Sequence, residues 1–398
     1  MRTDAQQRVV RLVAQDGGHA RAILYSVGGE RTAVFVMHPR ADVSSHYLIP
    51  ALLDAGYAVL AAQSRYFNND EDCLHEAILA DIAAGVHLLR AEGYEKLVLL
   101  GNSGGGSLFS FYQATAQTAP PDRPTHTPGG TPYDLNAFDL PEADGLLLLA
   151  AHLGEGKFLM NVIDPSVTDE NDPLSCDADL DMYNPANGFR RPPEESRYSK
   201  DWLSAYRTAQ RNRVARLDAL AHQQIAENRH FTGLREHEWF DRLPPEQRIA
   251  IERRGVAGRY LMIARTDANP ASLDLTINPS HRIVGSLQGP RPDLQNYRPG
   301  YFAHCMTPEG WLSTWSGLSS RAALAGTVPK ITVPTYLLNY SADNAIFPQD
   351  VEEVYALSAA SDKELLHIDG DHFGVGSKGK AAASEAVLEW LRERYPTR

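Results

Sequence analysis

The pattern of apolar and polar residues changes its period repeatedly along the first 152 residues. Short apolar runs alternate with segments whose apolar residues recur every three or four positions, which predicts strands alternating with helices. The predicted strands begin at about residues 8, 21, 32, 58, 96 and 145. Several are apolar at nearly every position, which is typical of a mostly parallel sheet covered by helices on both faces.

The segment from residue 73 to residue 93 has the clearest helical period. Its apolar residues Ile78, Ile82 and Val86 fall on one face, and Gly93 stands where a left-handed C-cap ends a helix. We therefore predict an amphipathic helix between two strands of the sheet.

The alternation stops between about residues 153 and 329 and then resumes. Beyond this interruption we predict strands at 335–341 and 364–369, and helices from about residues 349 and 381. The sequence thus predicts an α/β core made of residues 1–152 and 330–398. Residues 153–329 are predicted to be a mainly helical lid domain inserted after the sixth strand.

Within this lid, a long helix is predicted from about residue 200 to residue 228. Apolar runs from residues 259 and 281 predict strands. These strands could pair within the lid or across a dimer, so that the sequence leaves a homo-oligomer open.

Composition and charge indicate a globular protein without a polyanionic partner. The 398 residues include 38 basic and 50 acidic side chains, a net charge of −12, with 43% apolar and 22% charged residues, which is ordinary for a folded domain. No run of five Lys or Arg occurs, so the sequence offers no electrostatic surface for nucleic acid or an anionic membrane. We expect a small-molecule substrate.

The predicted location is cytoplasmic. The first residues lack the apolar stretch and cleavage site of a signal peptide, and no window reaches the roughly 18 apolar residues of a membrane helix. Cys73, Cys176 and Cys305 lie more than 100 residues apart without C-x-x-C spacing, so neither a disulfide framework nor a zinc ribbon is encoded.

The most informative motif is Gly101-Asn102-Ser103-Gly104-Gly105, between a predicted strand and a predicted helix. This is the context of a G-x-S-x-G nucleophile elbow, in which glycines permit a sharp turn and the serine hydroxyl stands at the end of the strand. The N-terminus of the following helix would direct N–H groups at a developing oxyanion. We predict that Ser103 is a nucleophile, the alternative being a glycine-rich turn with only a packing role.

A serine hydroxyl needs a base within hydrogen-bond reach and an acid that orients this base. Among the fourteen histidines we predict His372 as the base, because it follows an apolar strand and precedes the last helix. Asp343, just after the strand at 335–341, is predicted as the orienting acid. Asp369 and Asp371 are nearer in sequence, but side chains of one short loop rarely fold back onto its own histidine.

The order Ser103, Asp343, His372 on alternating strands and helices resembles the α/β-hydrolase superfamily. The resemblance covers residues 1–152 and 330–398 and does not extend to the insertion. It implies a sheet of about eight strands with one antiparallel strand near its start, an elbow at Ser103, a lid over the pocket and no cofactor. The sequence lacks H-E-x-x-H, P-loop and dinucleotide-binding patterns, and we expect no metal site.

In this superfamily a second oxyanion donor comes from the loop after the third strand, which here contains His38, Pro39 and Arg40. Pro39 has no N–H group, so the resemblance implies the backbone N–H groups of Gly104 and Arg40 as donors. We expect His38 to brace this loop rather than to act as a second base.

Three side chains are candidates for substrate binding. Arg40 could hold a substrate carboxylate bidentately, or it could pair with Asp42 or Asp70 at the surface. Trp311 and Trp315 are four apart on a predicted helix. They could line an aromatic pocket or form the core of the lid.

Together these features predict a serine hydrolase that cleaves a carboxylic ester or thioester of a bulky small molecule through an acyl-enzyme on Ser103. A large lid can enclose an apolar pocket and exclude water. One alternative is a carbon–carbon bond hydrolase acting on a diketone, since the Gly-Asn-Ser elbow is similar, although such enzymes usually have Met where this chain has Gly104. The other is a non-catalytic ligand-binding protein of hydrolase fold.

Overall fold

The computed structural model of the protein describes residues 5–299, 302–375 and 379–397. Its centre is an eight-stranded sheet in the spatial order β1-β2-β4-β3-β5-β6-β9-β10. These strands are β1 (Gln6–Val13), β2 (His19–Ser26), β3 (Thr32–His38), β4 (Ala58–Gln63), β5 (Lys96–Asn102), β6 (Gly145–Leu149), β9 (Thr335–Tyr340) and β10 (Lys363–Ile368). β2 is antiparallel to both neighbours and all other neighbouring pairs are parallel. The predicted mostly parallel sheet is confirmed.

The central strands are buried on both faces, as their apolar sequences predict. In β5 every residue from Leu97 to Gly101 is buried, and all residues of β6 are buried. The chain leaves β3 towards β4 on one side and reaches β5 on the other side. In open α/β sheets, ligands bind beyond the carboxyl ends of the strands at such a reversal of strand order.

Helices cover both faces of the sheet. The helices of the core are α1 (Ile49–Asp54), α2 (His75–Ala91), α3 (Gly104–Ala116), α10 (Pro348–Leu357) and α11 (Gly379–Arg394). Leu52 of α1 and Trp390 of α11 belong to the apolar cluster on one face. Ile82 of α2 and Phe109 of α3 belong to the cluster on the other face. Both faces are therefore closed to solvent, which leaves the ends of the strands as the place for a site.

The stretch between β6 and β9 is mainly helical. It contains the helices α4 (Glu155–Val162), α5 (Lys200–Gly233), α6 (Pro245–Gly255), α7 (Pro292–Gln295), α8 (Pro308–Gly310) and α9 (Leu324–Thr327), with the two-residue strands β7 (Leu261–Met262) and β8 (Cys305–Met306). A π-helical turn spans Trp311–Trp315. This is the predicted insertion after the sixth strand. None of the helices in the described residues is both long and apolar enough to cross a membrane.

The long helix α5 forms because one narrow stripe of it is apolar and its start is capped. Val214, Leu217, Ala221 and Ile225 recur at three or four positions and are buried against α4 and the segment around Trp311. Oγ of Ser199 accepts the N–H of Trp202, 3.2 Å away, which satisfies one free donor of the first turn. The insertion therefore has its own apolar cluster beside the sheet.

The prediction of a strand from residue 281 is wrong. Residues 281–287 form a loop, apart from one isolated bridge between Ser286 and Gly289. The buried guanidinium of Arg282 donates to the carbonyl oxygens of Ala271 and Ile277, which shapes the chain around it. Ile283, which supported the strand prediction, is 77% exposed. From the run at residue 259, only the two residues of β7 pair, with β8.

Candidate active site

Ser103 lies on a sharp turn between β5 and α3. Its backbone angles are φ 52° and ψ −120°, a conformation that is strained for a residue with a β-carbon. A β-carbon on Gly101 would lie 2.5 Å from the carbonyl oxygen of Gly105, and one on Gly105 would lie 2.4 Å from that of Met37. The glycines are therefore required for the helix to start this close to the sheet, and the turn has the geometry of a nucleophile elbow.

The three side chains selected from the sequence meet at the carboxyl end of the sheet. Oγ of Ser103 lies 3.1 Å from Nε2 of His372. Nδ1 of the same ring lies 2.7 Å from Oδ2 of Asp343. The imidazole thus bridges the hydroxyl and the carboxylate, in the arrangement by which a serine is activated and its base is oriented.

Asp343 is held in this position by its own loop. Its Oδ1 atom accepts the N–H groups of Ala345 and Ile346, at 2.7 and 3.0 Å, which leaves Oδ2 for His372. The alternative acids lie elsewhere: Asp371 accepts the N–H groups of its own loop, and Asp369 is 85% exposed. Asp343 is therefore the carboxylate that contacts the ring.

The pKa of His372 is raised above its ordinary value of 6.5. Burial alone would lower this pKa, but the charge of Asp343 and its hydrogen bond outweigh burial. A base with a raised pKa accepts a proton from the serine more readily, while it needs a higher pH to be neutral.

The loop after β3 uses its N–H groups in a way that the sequence did not predict. The N–H groups of Arg40 and Ala41 both point at Nδ1 of His38, at 3.2 and 3.0 Å. His38 therefore does brace the loop. The prediction for Arg40 needs correction, because its backbone N–H is already engaged within its own loop instead of being free for an oxyanion.

The buried carboxylate of Glu155 is the main site residue that sequence reasoning missed. It opens α4, is completely buried, and binds the guanidinium of Arg40 through Oε1. Its Oε2 atom lies 3.1 Å from Nε2 of His75 at the start of α2. The prediction that Arg40 pairs with Asp42 or Asp70 is therefore wrong. No signal in the sequence links Glu155 to residues so far away, since a lone glutamate at a helix start is usually exposed.

Glu155 stays charged despite its burial. Burial alone would raise its pKa, but the charge of Arg40 and the hydrogen bond from His75 hold the pKa well below the ordinary value of 4.5. A β-carbon on Gly104 would lie 2.7 Å from Oε1 of Glu155 and 2.9 Å from Nε2 of His38. The residue after Ser103 can therefore only be glycine while these two side chains keep their places.

Comparison with solved structures agrees with this architecture. The structure of DcsB in complex with its substrate analogue is similar to 98% of this chain and 99% of its own, with a TM-score of 0.52 and 13% sequence identity. The strand order, the antiparallel β2 and the elbow after β5 decide the fold. The chain has the α/β-hydrolase fold.

Two esterases are also among the solved structures to which the chain is similar. The Pf2001 esterase of Pyrococcus furiosus is 12% identical, with a TM-score of 0.47, over 98% of this chain and 91% of its own. The esterase domain of a Rhodothermus marinus protein is 13% identical, with a TM-score of 0.45, over 98% of each chain. No protein-family model and no curated protein sequence matches the chain. At these identities the likeness concerns the fold alone.

The two tryptophans of this α/β-hydrolase fold are buried rather than open to a pocket. Trp311 is fully buried in the insertion, and its indole N–H donates to Asp218 over 2.7 Å. Trp315 is 1% exposed, and the guanidinium carbon of Arg40 lies 4.3 Å from its ring centre. Of the two alternatives for Trp311, the wall of a substrate pocket or the core of the insertion, the structure shows the core. The ring of Trp315 thus makes a cation–π contact with the guanidinium of Arg40.

A cavity of about 380 Å³ opens beside His372. Its apolar wall is formed by Ile283, Leu287, Phe373 and Val375, which come from the insertion and from the loop of the base. Asp369 and Asp371 stand on the same lining. Among the described residues of this lining, histidine is the sole basic side chain. An apolar wall with acidic groups suits a neutral or cationic ligand better than an anionic one.

Proposed function

We propose that the protein is a serine hydrolase that cleaves a carboxylic ester or thioester of a neutral, bulky small molecule. The single observation that carries the proposal is the chain of contacts from Ser103 through His372 to Asp343. The α/β-hydrolase fold adds to it, because in this fold the nucleophile, the acid and the base follow one another in the same chain order as Ser103, Asp343 and His372.

The first half of the proposed reaction forms an acyl-enzyme. Nε2 of His372 takes the proton of Ser103 as Oγ attacks the carbonyl carbon, and the carbonyl oxygen becomes an oxyanion. The N–H of Gly104, at the free N-terminus of α3, donates to this oxyanion. The tetrahedral intermediate then collapses, the bond to the leaving alcohol or thiol breaks, and His372 protonates the leaving group.

The second half releases the acid. His372 takes a proton from water as the water oxygen attacks the acyl carbon, and it returns a proton to Oγ when the serine leaves. Asp343 keeps the proton of the neutral ring on Nδ1 and stabilises the charged ring in both halves. The cavity beside His372, with its apolar wall, is where we place the larger part of the substrate.

A fluorophosphonate probe tests the proposal without any guess about the substrate. The probe phosphonylates an activated serine, and peptide mapping identifies the modified residue. We expect labelling at Ser103 that is lost in Ser103→Ala and kept in Ser45→Ala, an exposed serine of the loop after β3. Unlabelled protein, or labelling that persists in Ser103→Ala, contradicts the proposal.

Parallel assays of a p-nitrophenyl ester and a β-diketone test the bond that is cleaved. Ester turnover that disappears in Ser103→Ala supports the proposal. Turnover of the diketone with an inert ester contradicts it and favours carbon–carbon bond hydrolysis. Binding of either compound without turnover contradicts it as well and favours a ligand-binding protein.

A further inference from the structure

In residues 39–41 of the loop after β3, no backbone N–H group is free to donate to an oxyanion on Ser103. Pro39 has no N–H group, and the N–H of Arg40 points at Nδ1 of His38. Of the two backbone donors expected from the sequence, the N–H of Gly104 is the one that remains. A single donor is a poor match for the charge that develops in acyl transfer, since each missing donor costs about 10²–10³ in kcat.

The tautomer of His38 is fixed by its surroundings. Its Nδ1 atom accepts two backbone N–H groups, those of Arg40 and Ala41, so this nitrogen carries no proton. The proton of the neutral ring therefore lies on Nε2, which makes Nε2 a hydrogen-bond donor. Burial, with the nearby charge of Arg40, lowers the pKa of His38 to about 3. The ring is neutral near pH 7 and does not compete with His372 as a base.

The Nε2 edge of His38 faces the residue after the nucleophile. It lies 2.9 Å from the point where a β-carbon on Gly104 would stand, so the absent side chain leaves room for the imidazole. Among the described residues, Nε2 of His38 makes no hydrogen bond. Oε1 of Glu155 is close to the same point, but it is bound to Arg40, whose charge balances it.

We propose that the Nε2–H group of His38 is the second oxyanion donor, in place of the backbone N–H that this loop does not supply. The inference rests on the proposed hydrolase function. When Oγ of Ser103 attacks, the carbonyl oxygen would accept from the N–H of Gly104 on one side and from His38 on the other. No proton moves in this contact, because the ring only donates a hydrogen bond.

Two substitutions separate the proposed role of His38 as an oxyanion donor from its role in holding the loop after β3. His38→Asn keeps an oxygen that can accept the N–H groups two and three residues on, as in an Asx turn, but it is too short to place a donor near Gly104. His38→Gln carries an amide N–H at about the position of Nε2. His46→Gln is the matched control, because His46 is a neighbouring imidazole with a pKa lowered to about 4, mainly by burial, and it contacts Asn102 rather than Gly104.

Turnover of p-nitrophenyl butyrate is the first readout. We expect His38→Asn to lower kcat about 10²–10³-fold with little change in KM, and His38→Gln to recover roughly tenfold or more of that loss. His46→Gln should lower kcat less than roughly tenfold. Near-normal kcat in a folded His38→Asn, or an equal loss in His46→Gln, overturns the proposal and leaves His38 as a brace.

A trifluoromethyl ketone inhibitor is the second readout, since its adduct on a serine carries an oxyanion. Its affinity should fall across the variants in proportion to kcat/KM.

If His38→Asn does not fold, His38→Gln decides: a folded Gln variant that loses more than about 10³ in kcat overturns the proposal. Fluorophosphonate labelling of the parent protein distinguishes the two failures. An unlabelled parent defeats the proposed function itself, whereas a labelled parent with an active His38→Asn defeats only the role of His38.

Discussion

Nδ1 of His372 lies 2.7 Å from Oδ2 of Asp343, whose side chain is completely buried. A buried carboxylate at this distance stabilises the charged imidazole, and it raises the pKa of His372 above 6.5 although burial acts in the opposite direction. If His372 is the base of the reaction, this contact sets the pH at which the protein works.

The first prediction is a pH profile of kcat/KM. The base must be neutral, so activity is present above the pKa of His372 and is lost as the pH falls through it. Because that pKa is raised, the midpoint of the acidic limb should lie above 6.5. The profile is measured with a chemically stable ester between pH 5 and 9. A flat profile, or a midpoint below 6, contradicts the role of His372.

The second prediction concerns Asp343→Asn. Without the carboxylate, burial outweighs the smaller effect of the Asp371 charge on the pKa of His372, so the midpoint of the acidic limb should move to lower pH. The rate at the optimum should fall by about 10⁴, because the ring loses its orienting partner. Asp371→Asn is the control, since the charge of Asp371 also raises the pKa of His372 but its side chain does not contact the ring. It should shift the midpoint less and leave the rate within about tenfold.

The third prediction uses the strained backbone of Ser103. Both Ser103→Ala and Ser103→Gly should lower turnover by several powers of ten. The two differ in stability, because glycine adopts φ 52° without the clash that alanine keeps. The free energy of unfolding, measured by thermal denaturation, should be about 1 kcal/mol higher for Ser103→Gly than for Ser103→Ala. A glycine variant that is less stable than the alanine variant speaks against strain at the elbow.

The fourth prediction concerns Gly104→Ala. The added β-carbon would stand within 3 Å of Oε1 of Glu155 and Nε2 of His38, so these groups or the first turn of α3 must move. We expect lower stability and a kcat reduced by about tenfold or more, since a small misplacement of a donor is costly. Gly326→Ala is the matched control, because no atom lies within 4 Å of its β-carbon. Equal melting temperatures and rates for both variants would contradict this packing.

The fifth prediction concerns Glu155→Gln. Removing one partner of a buried ion pair leaves the other uncompensated, which should destabilise the protein by about 3 kcal/mol. Folding lowers the pKa of Glu155, so its contribution is present above the ordinary carboxyl pKa of 4.5 and is lost as the pH falls below it. The difference between parent and variant should therefore shrink in urea unfolding below pH 4.5. Glu95→Gln, in an exposed pair with Arg31, should change stability little at any pH.

The sequence predicted the features that depend on local patterns. Apolar strands such as β5 and β6, the helix after Ser103, and the loops that carry Asp343 and His372 are all encoded by residues close to one another in the chain. Parallel strands bring their carboxyl ends to one edge of a sheet, so local predictions were enough to expect these three side chains together. The structure brings them into contact, and their catalytic roles stay a prediction.

Features that depend on distant partners could not be predicted. Arg40 binds Glu155, which is 115 residues away and whose burial has no signature in its own segment. The apolar run at residue 281 has the pattern of a strand, but it forms a loop in which Ile283 is exposed. The side chain of Arg282 in this loop donates hydrogen bonds to the carbonyl oxygens of Ala271 and Ile277. In both cases a charged side chain organises the backbone or another charge around it, which hydrophobic periodicity does not record.

Glu155 belongs to the first turn of the insertion, yet its carboxylate is bound by two residues of the core, Arg40 and His75. The stretch between β6 and β9 therefore cannot be replaced as a unit without the loss of these contacts. A chimera that replaces this stretch with the corresponding segment of another protein of the same fold would leave the guanidinium of Arg40 and the imidazole of His75 without their acid, unless the graft begins after residue 155 or supplies an acid at that position.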